Sequence, residues 1–157
     1  MKIALASDHA GFDLKKEILA RLEQKRIAFK DFGCGPGETV DYVDYGARAM
    51  ESILAGECDR AILFCGTGLG MAIVANKFKG IRATPCWNIY TAEISRKHND
   101  SNCLTLGGRV LTIEEAAAIV TAWLESPFEG GRHERRVEKI TGLERKNSKA
   151  EKRRKRR

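Results

Sequence analysis

The sequence predicts an α/β chain, a three-layer α/β/α sandwich around a five-stranded parallel sheet. Three observations carry that prediction: short apolar runs alternate with longer amphipathic stretches, the chemically distinctive residues follow the apolar runs directly, and no internal repeat or second domain interrupts the alternation. Parallel strands need crossover connections, and these are right-handed. Helices should therefore cover both faces of the sheet, and a ligand site should lie at the carboxyl ends of the strands.

Taken in order, the short apolar runs 2–7, 27–33, 60–65, 81–85 and 102–107 read as strands. Amphipathic stretches at 12–25, 42–55, 69–78, 90–98 and 113–125 supply the helices between and after them. Thr112, ahead of Ile113-Glu114-Glu115, offers a capping box at the start of the fifth helix. A sixth helix begins near Arg132 and fades into the C-terminal segment. This order is Rossmann-like. The chain divides into a domain at 1–144 and a basic, disordered tail at 145–157.

Composition narrows the class. The chain has 157 residues, 43% of them hydrophobic and 7% aromatic, which is ordinary globular usage. Its net charge of +7 resembles a nucleic-acid signal until it is divided along the chain. Residues 145–157 hold nine Lys/Arg and one acid, whereas residues 1–144 hold nineteen bases and twenty acids. The basic character belongs to the tail, which is suited to at most weak, salt-sensitive nucleic-acid contact. The five cysteines include no C-x-x-C pair, which argues against a zinc site or a disulfide framework. Four of them should pack as small apolar residues, although Cys34, among glycines in a loop, is open to exposure and oxidation. The N-terminus has no signal-peptide core and no run of 18 apolar residues occurs, so the expected setting is cytoplasmic, with reduced thiols and no membrane contact.

Chemistry should concentrate after the strands, and it does. The first strand empties into Ser7-Asp8-His9-Ala10-Gly11, the third into Cys65-Gly66-Thr67-Gly68-Leu69-Gly70, and the fifth into Gly107-Gly108-Arg109. If connections reverse direction between the first and third strands, Asp8, His9 and Cys65 share a crevice. Cys65 also precedes a helix, whose N-terminal dipoles amount to roughly half a positive charge and favour both a thiolate and a bound anion.

Glycine-rich turns are common, and two familiar alternatives fail on spacing. A dinucleotide fingerprint wants glycine at position 71 and a cysteine phosphatase wants arginine there, but Met71 occupies it; the Gly-Lys-Ser/Thr of a phosphate-binding P-loop is also missing. What remains is a backbone nest suited to an oxyanion beside a thiol. Taken alone, each element has a plainer explanation. Cys65 could be a buried thiol in a tight turn, His98 a charge at a helix end, Tyr42 a packed aromatic, and Arg132 with Arg136 a solvated face that could also clamp a phosphate.

Together they resemble the type B ribose-5-phosphate isomerases within the ribose and galactose phosphate isomerases, from Met1 to about Leu143. The resemblance rests on Ser7-Asp8-His9-Ala10-Gly11-Phe12, Asp41-Tyr42, Cys65-Gly66-Thr67-Gly68-Leu69-Gly70 and Asn76-Lys77-Phe78. It continues through Arg96-Lys97-His98-Asn99-Asp100, Gly107-Gly108-Arg109-Val110 and Glu129-Gly130-Gly131-Arg132-His133.

The resemblance implies interconversion of D-ribose 5-phosphate and D-ribulose 5-phosphate, a pentose phosphate pathway reaction, without metal or organic cofactor. Its catalytic residues would be Cys65, His98, Asp8 and Thr67. Asp8 and His98 would open the sugar ring, with acid and base unassigned, and Cys65 would move the proton between C2 and C1. The substrate-binding residues would be His9, Tyr42, Gly66, Gly68, Gly70, Asn99, Arg109, Arg132 and Arg136. Amides from Gly66 to Gly70 would receive the oxyanion, Thr67 and Asn99 would hold hydroxyls or the enediolate, and His9 with the three arginines would hold the phosphate. Some family members carry a glutamate base elsewhere and lack this cysteine. A homo-oligomer, dimer or tetramer, is also implied, with His98 and Asn99 reaching a neighbour's Cys65 crevice. Six-carbon substrates such as allose 6-phosphate, or sugar-phosphate binding without catalysis, stay open as alternatives.

Overall fold

The computed structural model describes residues 1–154, with side chains described through 147. Five strands, β1 (Lys2–Ser7), β2 (Ala28–Asp31), β3 (Arg60–Cys65), β4 (Ala83–Pro85) and β5 (Cys103–Gly107), form one parallel sheet in the order β2-β1-β3-β5-β4. The helices are α1 (Phe12–Gln24), α2 (Tyr42–Leu54), α3 (Leu69–Ala75), α4 (Ile89–Asn99), α5 (Ile113–Glu125) and α6 (Arg132–Arg154).

Strand order and crossover handedness together fix the layers. The step from β1 to β2 runs one way along the sheet, while the steps from β2 to β3 and from β3 to β4 run the other way. Right-handed crossovers must then put α1 on one face and α2 and α3 on the opposite one; β4 to β5 turns back and returns α4 to the face of α1. The core shows this division. Ile3, Leu5, Ile62, Phe64, Leu104 and Leu106 pack against α1, α4 and α5. Their alternating neighbours Ala4, Ala6, Ala61, Leu63, Cys65 and Cys103 meet α2 and α3. The second set is mostly small. Strand alternation therefore gives a bulky face and a thin one, and Cys65 belongs to the thin one.

The sequence boundaries hold within a few residues, and the exceptions have causes. The run at 81–85 shortens to β4 because the Arg82 and Ala83 amides donate to the side-chain oxygens of Asn102 and Asn76 (2.8 and 2.9 Å). α3 stops at Ala75 because Lys77 and Phe78 turn back to Val74 and Ala75 in three-residue bonds. The expected capping box is present: the Thr112 side chain accepts from the Glu115 amide, and Glu115 returns to the Thr112 backbone. α6 does not fade into the tail but continues to Arg154, through a Lys- and Arg-rich run with no Gly or Pro beyond Gly142. Residues 155–157 of the expected tail lie outside the described residues. Cys34 is not exposed as its glycine neighbours suggested: it is 3% accessible, and all five cysteines are free and buried. No helix of the described residues is long and apolar enough to cross a membrane.

Two buried cations, Lys15 and Arg96, pin the loops. Lys15 on α1, 1% exposed, donates to both Asp31 oxygens at 2.8 Å and ties α1 to the end of β2. Asp100, in the left-handed region at φ 47°, accepts from buried Arg96 and from Arg82 (2.8 Å each), closing α4 against the entry to β4. Removing one partner of a buried pair leaves the other charge uncompensated. Asp100→Ala should therefore cost about 3 kcal/mol in urea unfolding; a loss below ~1 kcal/mol would show that Arg96 does not depend on it.

Candidate active site

β1 and β3 are neighbours whose outgoing connections diverge, and a crevice opens at their carboxyl ends. The Asp8 amide donates to the Phe64 carbonyl (3.3 Å), beside Cys65. Its carboxylate accepts from the Gly11 amide at 2.9 Å, fixing the turn that presents exposed His9. That turn lies directly on β3. A Cβ on Gly11 would sit 2.6 Å from the Phe64 carbonyl carbon and 2.8 Å from the Cys65 nitrogen.

The Cys65 loop is locked from its other side by β5. Gly108 and Arg109 amides donate to the Cys65 and Gly66 carbonyls at 2.8 and 3.0 Å, so the β3–β5 ladder continues past the strand ends. A Cβ on Gly107 would lie 2.7 Å from the Thr67 carbonyl carbon, and Gly68, at φ 83°, packs on Leu106 backbone. The Arg109 side chain lies over Gly66, and the Tyr42 ring, at the start of α2, lies across Gly70. Asp8, His9, Cys65, Thr67 and Arg109 are thus brought to one edge, as their positions after strands predict, and Tyr42 joins them from the start of α2. Inside the loop the Gly68 amide donates to the Cys65 sulfur at 3.2 Å, and the Leu69 amide donates to Thr67 Oγ1 at 3.3 Å. Two of the loop amides expected to face an oxyanion are therefore engaged within the loop. Burial pushes the Cys86 and Cys103 thiols up.

His98, Asn99, Arg132 and Arg136 are not at this edge. α4 leaves the carboxyl edge after β4 and ends at Asn99, just before β5 enters the sheet. The register pairs Ala61 with Cys103 and Cys65 with Gly107, so about 13 Å of strand separates the two ends. At the far end the His98 and His133 rings stack at 4.0 Å, 8° from parallel, and Glu129 Oε2 lies 3.7 and 3.9 Å from their Nε2 atoms. Arg132 Nε donates to His133 Nε2 at 3.2 Å, while buried His133 Nδ1 has no partner. Arg109 and Arg136 make no ion pair among the described residues. Glu129 and His133 received no role from the sequence, although both lie in the motif around Gly130-Gly131; the stacked ring and the carboxylate beside His98 appear only in three dimensions.

His98, Glu129 and His133 are the one three-ligand cluster among the described residues whose donor atoms, within 4.8 Å of one another, fit a metal by distance. Their surroundings do not fit a cation. Arg132 already holds the His133 nitrogen a metal would need, parallel stacked rings cannot both aim their lone pairs at one ion, and Arg136 adds a further positive charge. An anion suits this end better.

Comparison with known proteins gives the same assignment. Residues 3–140 match the Ribose/Galactose Isomerase family. The chain belongs to that family. Ribose-5-phosphate isomerase B of Escherichia coli K12 is 47% identical over 147 residues, covering 94% of this chain and 99% of the relative. The Clostridium thermocellum ribose-5-phosphate isomerase B structure superposes with a TM-score of 0.92 at 50% identity, covering 94% of this chain and 99% of that one. The Mycoplasma genitalium ribose-5-phosphate isomerase B, solved with bound ribulose-5-phosphate, superposes at 0.85 with 38% identity, covering 92% and 96%. In this ribose/galactose isomerase family member, then, the two edges of the sheet divide the motif residues between them.

Desolvation, then His98, Arg132 and Arg136, hold His133 below its ordinary value of 6.5, outweighing Glu129. A histidine depressed in the folded state binds its proton more readily when unfolded, so its stabilising contribution is present above pH 6.5 and lost as pH falls through the folded value. The thermal midpoint should fall between pH 6.5 and acid, and less steeply in His133→Gln. Equal slopes in the two proteins would show that His133 is not the cause.

Proposed function

We propose that the protein is a ribose-5-phosphate isomerase of type B, interconverting D-ribose 5-phosphate and D-ribulose 5-phosphate through an enediolate. The observation that carries this reading is the loop following β3: a buried thiol with an amide aimed at its sulfur, wedged between the Asp8 turn and Arg109.

The residues account for each step. The sugar arrives closed, so Asp8 and His98 act as the acid–base pair that breaks the ring C–O bond and delivers the open aldehyde. Cys65, as thiolate, removes the C2 proton, and the electron pair moves onto the carbonyl oxygen at C1. The O2 hydroxyl proton then passes to O1, the carbonyl forms at C2, and the Cys65 thiol returns its proton to C1. The loop amides between Gly66 and Gly70 other than those of Gly68 and Leu69 receive the transient oxyanion, each well-aimed donor supplying roughly 3 kcal/mol. Thr67 and Asn99 hold hydroxyls or the enediolate, and Tyr42 walls the pocket over Gly70. His9, Arg109, Arg132 and Arg136 bind the phosphate, whose binding energy orients the reacting carbons. No metal or organic cofactor enters the scheme.

His98, Asn99, Arg132 and Arg136 lie at the wrong edge to serve the Cys65 of their own chain. They serve a neighbour's in a homo-oligomer with its sites between subunits. A two-fold arrangement suffices, since it sets one chain's carboxyl edge against the other's amino edge twice over. The surface near the loop suits such a contact: α3 buries Met71, Ala72 and Ala75 but exposes Leu69 and Ile73 at 48% and 63%. Residues 1–144 form the isomerase domain and 145–157 a basic appendage able to make weak nucleic-acid contact. The working compartment is the cytoplasm, where the five thiols stay reduced.

Purified protein in chelator-containing buffer should convert ribose 5-phosphate, and Cys65→Ala should lose roughly 10²–10⁴-fold in kcat. Conversion of allose 6-phosphate alone would keep the chemistry and change the substrate, whereas conversion of neither would leave only sugar-phosphate binding. Mixing tests the shared site. Inactive Cys65→Ala and His98→Asn proteins, unfolded and reassociated together, should recover about a quarter of wild-type activity, because each mixed dimer regains one intact site. No recovery would place both residues in one chain's site.

A further inference from the structure

We propose that His133 is a positioning residue serving two groups at once: the face of its ring orients His98 for ring opening, and its Nε2 aims Arg132 at the substrate phosphate. This rests on the roles given above to His98 and Arg132, and it gives His133 a part in the reaction through its neighbours.

The local sequence is built to place this ring. Between α5 and α6 the Glu129 amide donates to the Lys97 carbonyl at 3.1 Å, which fastens the loop beside His98. Gly130 and Gly131 follow at φ 66° and 56°, two consecutive left-handed residues of a kind that glycine adopts without strain. A Cβ on either would meet nothing within 4 Å, so glycine is needed there for backbone conformation rather than for room. The turn they make starts α6 at Arg132 and brings His133, 4% exposed, against the His98 ring.

Hydrogen bonding fixes the state of that ring. Arg132 Nε donates to His133 Nε2 at 3.2 Å, and a nitrogen that accepts cannot also carry the proton. His133 is therefore neutral, with its proton on Nδ1. Burial and the nearby His98, Arg132 and Arg136 act in the same direction, holding its pKa below the ordinary value against the pull of Glu129.

A neutral ring 4.0 Å from His98 and 8° from parallel is a surface on which His98 can gain or lose a proton, whereas a second imidazolium there would repel the charge. Glu129 is drawn into the same arrangement. Because His133 Nε2 holds no proton, Glu129 Oε2 has nothing to accept from it at 3.9 Å, and the carboxylate is left to His98 Nε2 at 3.7 Å. Stack and carboxylate together restrict how the His98 ring can turn. Engaging Arg132 through Nε, in turn, leaves its two terminal nitrogens as a fork for phosphate. One side chain thus links the group that recognises the phosphate to the group that opens the ring.

The test separates the ring face from the ring nitrogen in the assembled protein. His133→Gln keeps an acceptor for Arg132 and removes the ring, so kcat on ribose 5-phosphate should fall roughly 10–100-fold with KM unchanged. Glu129→Gln should likewise lower kcat alone. His133→Phe keeps the ring and removes the acceptor: KM should rise about tenfold with kcat held, and affinity for inorganic phosphate in calorimetry should weaken by the same factor. Wild-type protein carrying isotopically labelled histidine gives a reading that no variant's folding can disturb, since NMR should find the His133 proton on Nδ1. Absence of either kinetic pattern would overturn the proposal, as would a proton on Nε2 or equal phosphate affinity in wild type and His133→Phe. Loss of kcat and KM together in both His133 variants would mark a purely structural role. If wild-type protein leaves ribose 5-phosphate unchanged, the isomerase reading fails, while the tautomer and the phosphate affinity still decide whether His133 holds Arg132.

Discussion

The site depends on three loops pressed together with no room for side chains between them. The 8–11 turn, the Cys65 loop and the 107–109 segment meet backbone to backbone, through Gly11 on Phe64 and Cys65, Gly107 on Thr67, and the two amides that extend the β3–β5 ladder to Cys65 and Gly66. A Cβ at either glycine would force these backbones apart, and a well-packed interior does not absorb such a shift cheaply. The position of the thiol is therefore set by main-chain geometry. Side chains such as Asp8, Arg109 and Tyr42 are then placed relative to a fixed point.

The thin face of the sheet belongs to the same design. Ala4, Ala6 and Ala61 let α2 and α3 sit close, so the start of α2 carries Tyr42 over Gly70 and the start of α3 meets the end of β3. The bulky face does different work. Trp123, Phe64 and the leucines and isoleucines around them supply most of the buried apolar surface. Stability and chemistry are thus assigned to opposite sides of one sheet.

The fold was legible in the sequence because apolar runs and post-strand glycines report on local backbone, which short-range pattern encodes well. The edge that unites Asp8, His9, Cys65 and Arg109 followed from topology alone. His98 and Arg132 could be named by resemblance, but no periodicity places them roughly 13 Å of strand from the thiol, since that distance depends on where α4 ends relative to β5. The stacking of His133 on His98 and the burial of Lys15 against Asp31 join residues 35 and 16 positions apart, and side-chain packing of that kind has no signature in a single sequence. Cys34 misled for the opposite reason. Its glycine neighbours suggest exposure, yet the loop folds down so that its carbonyl faces the Lys15 ammonium.

The order of the strands has a consequence for synthesis. β4 pairs only with β5, and β5 lies between it and β3. A chain emerging from the ribosome can join β1, β2 and β3 early, but β4 must wait outside the sheet until the segment to residue 107 has been made and inserted. Until then the edge of β3 is unpaired and the carbonyls of Cys65 and Gly66 lack the amides that hold them. The thiol loop is consequently one of the last parts of the sheet to acquire its shape. A nascent chain released before β5 would hold every residue of the Asp8 turn and of the thiol loop without the arrangement that makes them a site.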